Sequence, residues 1–111
     1  MIRVAVSPAA RADIAAALRH SRVTFGPMAR ARYARLIDHA LSDLADDPNR
    51  PGVRAVPGHL FTYHLRSSGR RSLRADRVTR PRHLIVFGRD GVRLTVVRVL
   101  DDRMDISAQL G

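Results

Sequence analysis

The chain has 111 residues, 45% of them hydrophobic, and its 20 arginines against 10 aspartates give a formal charge of +10. This length suits one domain with a single core, and the apolar content excludes intrinsic disorder. Cysteine is absent, which excludes a disulfide framework and thiolate metal sites, and no run approaches the roughly 18 apolar residues of a membrane span.

A single soluble, cytoplasmic domain over residues 1–111 is therefore expected, without membrane contact. Lys and Glu are absent, a usage that fits a GC-rich coding sequence, so the choice of arginine alone does not argue for phosphate recognition. The net charge does favour an anionic partner, either nucleic acid or an acidic protein segment.

Ile2, Val4 and Val6 alternate with Arg3 and Ala5, as in a short half-buried strand. Ser7-Pro8 then supplies an N-cap and a proline at the first helical position. The helix so opened carries Ile14 and Leu18 on one side and is expected to end near Val23-Thr24. Gly26-Pro27 starts a second helix, whose apolar stripe is Tyr33, Leu36, Ile37, Ala40, Leu41 and Leu44. Asp46-Asp47-Pro48-Asn49-Arg50-Pro51-Gly52 ends it, and so short a connection between the helices predicts an antiparallel helical hairpin.

Beyond that turn, His59–Arg66 reads as a strand with Phe61, Tyr63 and Leu65 on one face. Ser67–Thr79 is a polar linker of 13 residues without periodicity, a length that is uncommon inside a compact domain and often functional. Leu84–Phe87 and Val92–Leu100 are apolar runs separated by Gly88-Arg89-Asp90-Gly91, where Asp90-Gly91 signals a two-residue hairpin. The expected order is β-α-α-β-β-β, an α+β fold with the helical hairpin packed on one face of a small, mainly antiparallel sheet. Leu36, Ile37, Leu41 and Leu44 should bury against Ile85, Phe87 and Val96.

Arg66, Arg70, Arg71, Arg74, Arg77, Arg80 and Arg82 form a basic cluster interrupted only by Asp76. Guanidinium forks pair bidentately with phosphate and carboxylate, so these seven are candidate partner-binding residues. No aromatic lies among them, which favours an electrostatic contact over base stacking. The five histidines form no close metal-ligand pair, so no metal is expected, and phosphate loops, HExxH and nucleophile elbows are missing, so no cofactor is expected either. His64 and His83 each sit beside an arginine (Arg66, Arg82) and are the candidates for acid–base work on a phosphodiester. Asp101, Asp102, Arg103 and Asp105 read as a charged cap on the last strand.

Several of these segments resemble one family. Ser7-Pro8-Ala9-Ala10 with Asp13-Ile14, Phe25-Gly26 with Ala29 and Tyr33, Asp47-Pro48, Tyr63-His64-Leu65-Arg66, Arg80-Pro81-Arg82-His83, and Val97-Arg98-Val99-Leu100 with Arg103-Met104-Asp105 are similar to the ParE branch of the RelE/ParE toxins of type II toxin–antitoxin systems. The likeness runs over nearly the whole chain, and the last of these segments is the most specific. One residue departs from the pattern, since Asp101 stands where the family usually has histidine. The resemblance implies a toxin that inhibits DNA gyrase and is neutralised by a cognate antitoxin with an acidic C-terminal segment. Its alternatives are a RelE-like, ribosome-dependent mRNA endonuclease or a degenerate, non-toxic basic binding module.

Overall fold

The computed structural model describes residues 2–110. Strand β1 (Arg3–Val6) leads into helix α1 (Pro8–Phe25), and helix α2 (Pro27–Asp46) follows directly. Strands β2 (Arg54–Val56) and β3 (Leu60–His64) pair as a hairpin, and two 3-10 helices then occupy Leu65–Arg71 and Arg74–Asp76. Strands β4 (His83–Asp90) and β5 (Arg93–Asp101) precede a short helix α3 (Ile106–Leu110). The sheet order is β1-β5-β4-β3-β2, with β1–β5 parallel and the other pairs antiparallel. The helical hairpin packs against this sheet, as the sequence predicts.

Helix α1 opens as expected, with Ser7 in an extended conformation and its Oγ accepting from the Ala10 N–H at 3.0 Å. It runs on to Phe25, past the expected stop, because Gly26 alone makes the connection. Gly26 has φ 96°, a conformation L side chains rarely adopt, and this lets Pro27 start α2 immediately. On α2 the stripe buries Tyr33, Leu36, Ile37, Ala40 and Leu44, whereas Leu41 is only partly buried. The inward position beside Leu44 is taken by Asp43, which is 3% exposed. Leu36, Ile37 and Leu44 share the core with Ile85, Phe87, Leu94 and Val96. Phe61 stacks on Phe87, its direct partner across β3 and β4, at 5.6 Å between centroids.

Several features differ from the expected elements. β2 is additional; it is three residues long, between Pro51-Gly52 and Pro57-Gly58, too short to show a period. The strand expected at His59–Arg66 stops at His64, and the segment read as an unstructured linker coils into the two 3-10 helices. The β4–β5 turn sits one residue further on than predicted: Asp90 pairs with Arg93, so Gly91 and Val92 are the central residues. Gly91 has φ 55°, while Val92 stays at negative φ, an arrangement suited to a turn that needs glycine only at its first central position.

Beyond Val96, β5 loses β1 as a neighbour, and the start of α1 takes over its edge. The Ser7 N–H bonds to the Val96 carbonyl and the Ser7 Oγ to the Val97 carbonyl, both at 2.9 Å. The Asp13 carboxylate accepts from the Val99 N–H at 2.9 Å. Side chains thus satisfy strand-edge groups that a longer β1 would have bonded.

Candidate functional site

The sharp α1–α2 connection leaves a wedge between the helix ends and the chain leading into β4. A cavity of about 500 Å³ fills it. Its walls carry Ala17, His20 and Phe25 from α1, Ala29, Arg32 and Tyr33 from α2, Arg77, Val78, Arg80, Arg82 and His83 from the approach to β4, and Asp101 and Arg103 from the end of β5. Its size is that of a small-ligand or peptide pocket, and its lining mixes apolar surface with guanidinium groups.

Tyr33 anchors the inner wall. Its Oη accepts from the Arg82 backbone N–H at 3.1 Å and lies 2.7 Å from His83 Nδ1, with the two rings edge to face. The phenol oxygen can accept a second bond or donate its own proton, so the direction of the Tyr33–His83 bond follows the histidine tautomer. Burial pushes the His83 pKa down from 6.5, with His20 and His64 adding to the shift and Asp101 and Asp102 opposing it. Near neutral pH this imidazole is uncharged. Burial likewise raises the Tyr33 pKa above 10.0.

Asp101, at the place where a histidine was expected from the resemblance, is held by Arg103. The Arg103 Nε and Nη2 each bond to it at 2.9 Å, and the Arg103 N–H adds a third bond. These bonds keep its carboxyl well below the ordinary aspartate range, against the opposing effect of burial. Asp101 is therefore a paired anion with its charge already used. Arg32 stands in contrast, because its Nε is buried with no hydrogen-bond partner among the described residues.

The structure divides the predicted basic cluster. Arg77, Arg80 and Arg82 line the cavity. Arg71 turns inward, with its Nη1 2.7 Å from Asp43 Oδ1, where Arg50 also reaches at 3.3 Å. Ser68 Oγ donates to Asp43 Oδ2 at 2.6 Å, and Tyr63 Oη bonds to Ser68 at 2.7 Å. This buried chain clamps the first 3-10 helix onto α2, so Arg71 holds the protein's own fold. Arg66, Arg70 and Arg74 are exposed and make no side-chain ion pair among the described residues.

The four acid–base candidates are divided as well. Arg82 and His83 line the cavity, whereas His64 and Arg66 do not. Both ring nitrogens of His64 are engaged: Nδ1 accepts from the Arg66 N–H at 3.1 Å, and Nε2 lies 2.8 Å from Asp102 Oδ2. Reading the sequence alone missed His20, Phe25, Arg32 and Arg103 as wall residues. Phe25 carried a signal, an aromatic at a helix end beside Gly26-Pro27, and it is 73% exposed.

Another face of α1 bears a more open depression of about 610 Å³, floored by Val6, Ile14 and Leu18 and edged by Arg11, Arg19, Arg22 and Arg30. Among the described residues no group of three or more His, Asp or Glu side chains could hold a metal ion. No described helix is long and apolar enough to cross a membrane.

The family model described as "ParE toxin of type II toxin-antitoxin system, parDE" matches residues 4–106. The chain belongs to the ParE toxin family. Its fold is similar to that of a chain in a solved structure of a chromosomal ParDE TA system from P. aeruginosa, at a TM-score of 0.68 and 18% identity, over 91% of this chain and 96% of that one. No curated protein matches the sequence significantly. The ParE-like segments meet in the fold, Asp13 of the first with Arg98 of the last and Tyr33 of the second helix with His83 at the start of β4, while His64 of β3 meets Asp102, which lies between the two parts of the last segment.

Proposed function

We propose that this ParE-family chain acts in the cytoplasm as a toxin that binds DNA gyrase and stalls it on cleaved DNA, and that an antitoxin with an acidic C-terminal segment wraps and silences it. The observation that carries this reading is the character of the two concave surfaces. Each has an apolar floor with several arginines around it, and in the cavity the carboxylate present is already paired with Arg103. Such surfaces suit a segment that is at once apolar and acidic and folds as it binds. His64 and Asp101 are committed to internal bonds, which favours binding over hydrolysis.

One observation favours a second reading, ribosome-dependent mRNA cleavage. His83, set among Arg80, Arg82 and Arg103, could take a proton from a ribose 2′-hydroxyl at Nε2 in the neutral tautomer that donates from Nδ1 to Tyr33, while the arginines stabilise the phosphorane charge.

Inducible expression of the chain alone, then together with the small open reading frame expected beside its gene, tests the main reading. Growth arrest with an induced DNA-damage response, relieved by co-expression, is the expected result. Arrest without DNA damage but with cut messenger RNA would instead support the second reading. Unimpaired growth would refute toxicity in that host.

A further inference from the structure

We infer that the exposed ridge carrying Arg66, Arg70 and Arg74 docks on the phosphate backbone of duplex DNA, whatever its base sequence. The choice of DNA as the anionic partner rests on the gyrase reading, and the inference goes beyond it by placing the toxin on the nucleic acid as well as on the enzyme.

The ridge is built by the period of a 3-10 helix. Side chains three residues apart eclipse each other in such a helix, so Leu65, Ser68 and Arg71 share one face. That face points inward: Leu65 and Ser68 are buried, and Ser68 and Arg71 both bond to the enclosed Asp43. The other faces turn Arg66 and Arg70 to solvent, and Arg74 follows, exposed, in the second 3-10 helix. Asp76 is the sole acidic residue between Arg66 and Arg82, and Arg35 already holds it at 3.3 Å. A polar clamp thus fixes a stretch without apolar periodicity, while its outward guanidinium groups keep their charges unpaired among the described residues. On a chain of formal charge +10, such a preset row suits phosphates, whose neutralisation releases counterions, and little backbone ordering opposes the contact.

Shape favours a nucleic-acid backbone over a protein. Neither concave surface described above includes a residue from Leu65 to Asp76. Among the described residues of that stretch Leu73 is the only exposed large apolar side chain, well short of the apolar core of a protein interface. No aromatic stands between Arg66 and Arg82 to stack a base. Gly69, between Arg66 and Arg70, faces open space, since a Cβ built there meets no atom within 4 Å. Phosphates can therefore approach the main chain between the two arginines.

Fluorescence anisotropy of a short labelled DNA duplex titrated with the whole chain, repeated at rising salt, tests the inference. Arg66→Gln with Arg70→Gln removes two charges from the ridge. Arg3→Gln with Arg93→Gln, at exposed positions of β1 and β5, removes two elsewhere. The ridge pair should weaken binding by at least about tenfold and lower the slope of log affinity against log salt by about 2. The control pair should weaken binding by less than about threefold and leave the slope nearly unchanged. Gly69→Asp should also weaken binding by about tenfold, whereas Gly69→Ala should match wild type. Thermal unfolding establishes that each variant folds, and the two Gly69 variants decide the matter if the ridge pair does not.

Equal losses from the two arginine pairs, with Gly69→Asp no weaker than Gly69→Ala, would overturn the ridge and leave net charge as the cause. A wild-type chain that fails to bind the duplex yet arrests growth and stalls gyrase would overturn the inference and leave the toxin reading intact. Ridge-dependent duplex binding by a chain that neither arrests growth nor stalls gyrase would overturn that reading instead. Ridge variants that keep duplex affinity but lose affinity for gyrase free of DNA would reassign the ridge to a protein partner. Tighter ridge-dependent binding to an RNA duplex of the same sequence would reassign it to RNA.

Discussion

The Asp13 carboxylate grips the Arg98 guanidinium across 85 positions of sequence, through bonds of 2.7 and 3.0 Å. The same carboxylate holds the Val99 N–H and so ties the start of α1 to the unpaired edge of β5. Burial opposes ionisation of Asp13, but its bonds from Arg98 and Val99 outweigh this and keep the pKa below 3.8.

Asp13→Ala should therefore cost about 2 kcal/mol, because it strands both the Val99 N–H and the Arg98 charge. Urea unfolding at neutral pH measures this. Since the folded pKa lies below the unfolded one, the contribution is fully present above about pH 4 and is lost as acid carries the pH through the folded value. The difference between wild type and variant should accordingly shrink in acid.

The core stripe of α2 makes a graded prediction. Leu44 is fully buried, whereas Leu41 is only partly so. Leu44→Ala should cost about 3 kcal/mol and Leu41→Ala about 1 kcal/mol. Equal losses in urea unfolding would show that Leu41 packs more deeply than the structure places it.

Arg71 should behave unlike its neighbours. It pairs with Asp43, whose side chain is 4% exposed, while Arg70 and Arg74 have no such partner. Arg71→Ala should cost about 1–2 kcal/mol by leaving the buried carboxylate with fewer partners, and the Arg70→Ala, Arg74→Ala double variant less than about 0.5 kcal/mol. Chemical denaturation of the two proteins compares them directly.

His83 gives a pH dependence whose sign follows from its lowered pKa. The unfolded chain takes up the His83 proton near pH 6.5, the folded chain only at lower pH. Between those values the unfolded state binds more protons, so stability is full above about pH 6.5 and declines as the pH falls below it. Replacing the residue, His83→Asn, should remove this part of the slope between pH 7 and pH 5. An unchanged slope would place the titration elsewhere.

The ParE segments were legible as separate stretches of sequence because each has a local cause: an N-cap and proline at Ser7-Pro8, a glycine connection at Gly26, alternation in β3. Their pairing was not. Asp13 meeting Arg98, Tyr33 meeting His83 and His64 meeting Asp102 are long-range contacts that no local period encodes. The same holds for the cavity. Arg80 and Arg82 stood out by density, but Arg32 lies on a helix where charged residues read as a solvated face. The 13-residue stretch from Ser67 read as a linker because its order comes from Ser68 and Arg71 bonding to Asp43, not from apolar periodicity. The hairpin turn shifted by one residue because Gly91 serves either register, and strand pairing decides between them.

The most direct test of the central claim is incubation of the purified chain with DNA gyrase, ATP and relaxed plasmid, followed by detergent and protease treatment and electrophoresis. Inhibition of gyrase stalled on cleaved DNA predicts loss of supercoiling together with dose-dependent linear plasmid, both abolished by prior mixing with the antitoxin. Normal supercoiling and no linear plasmid, from a protein that nonetheless arrests growth, would contradict it.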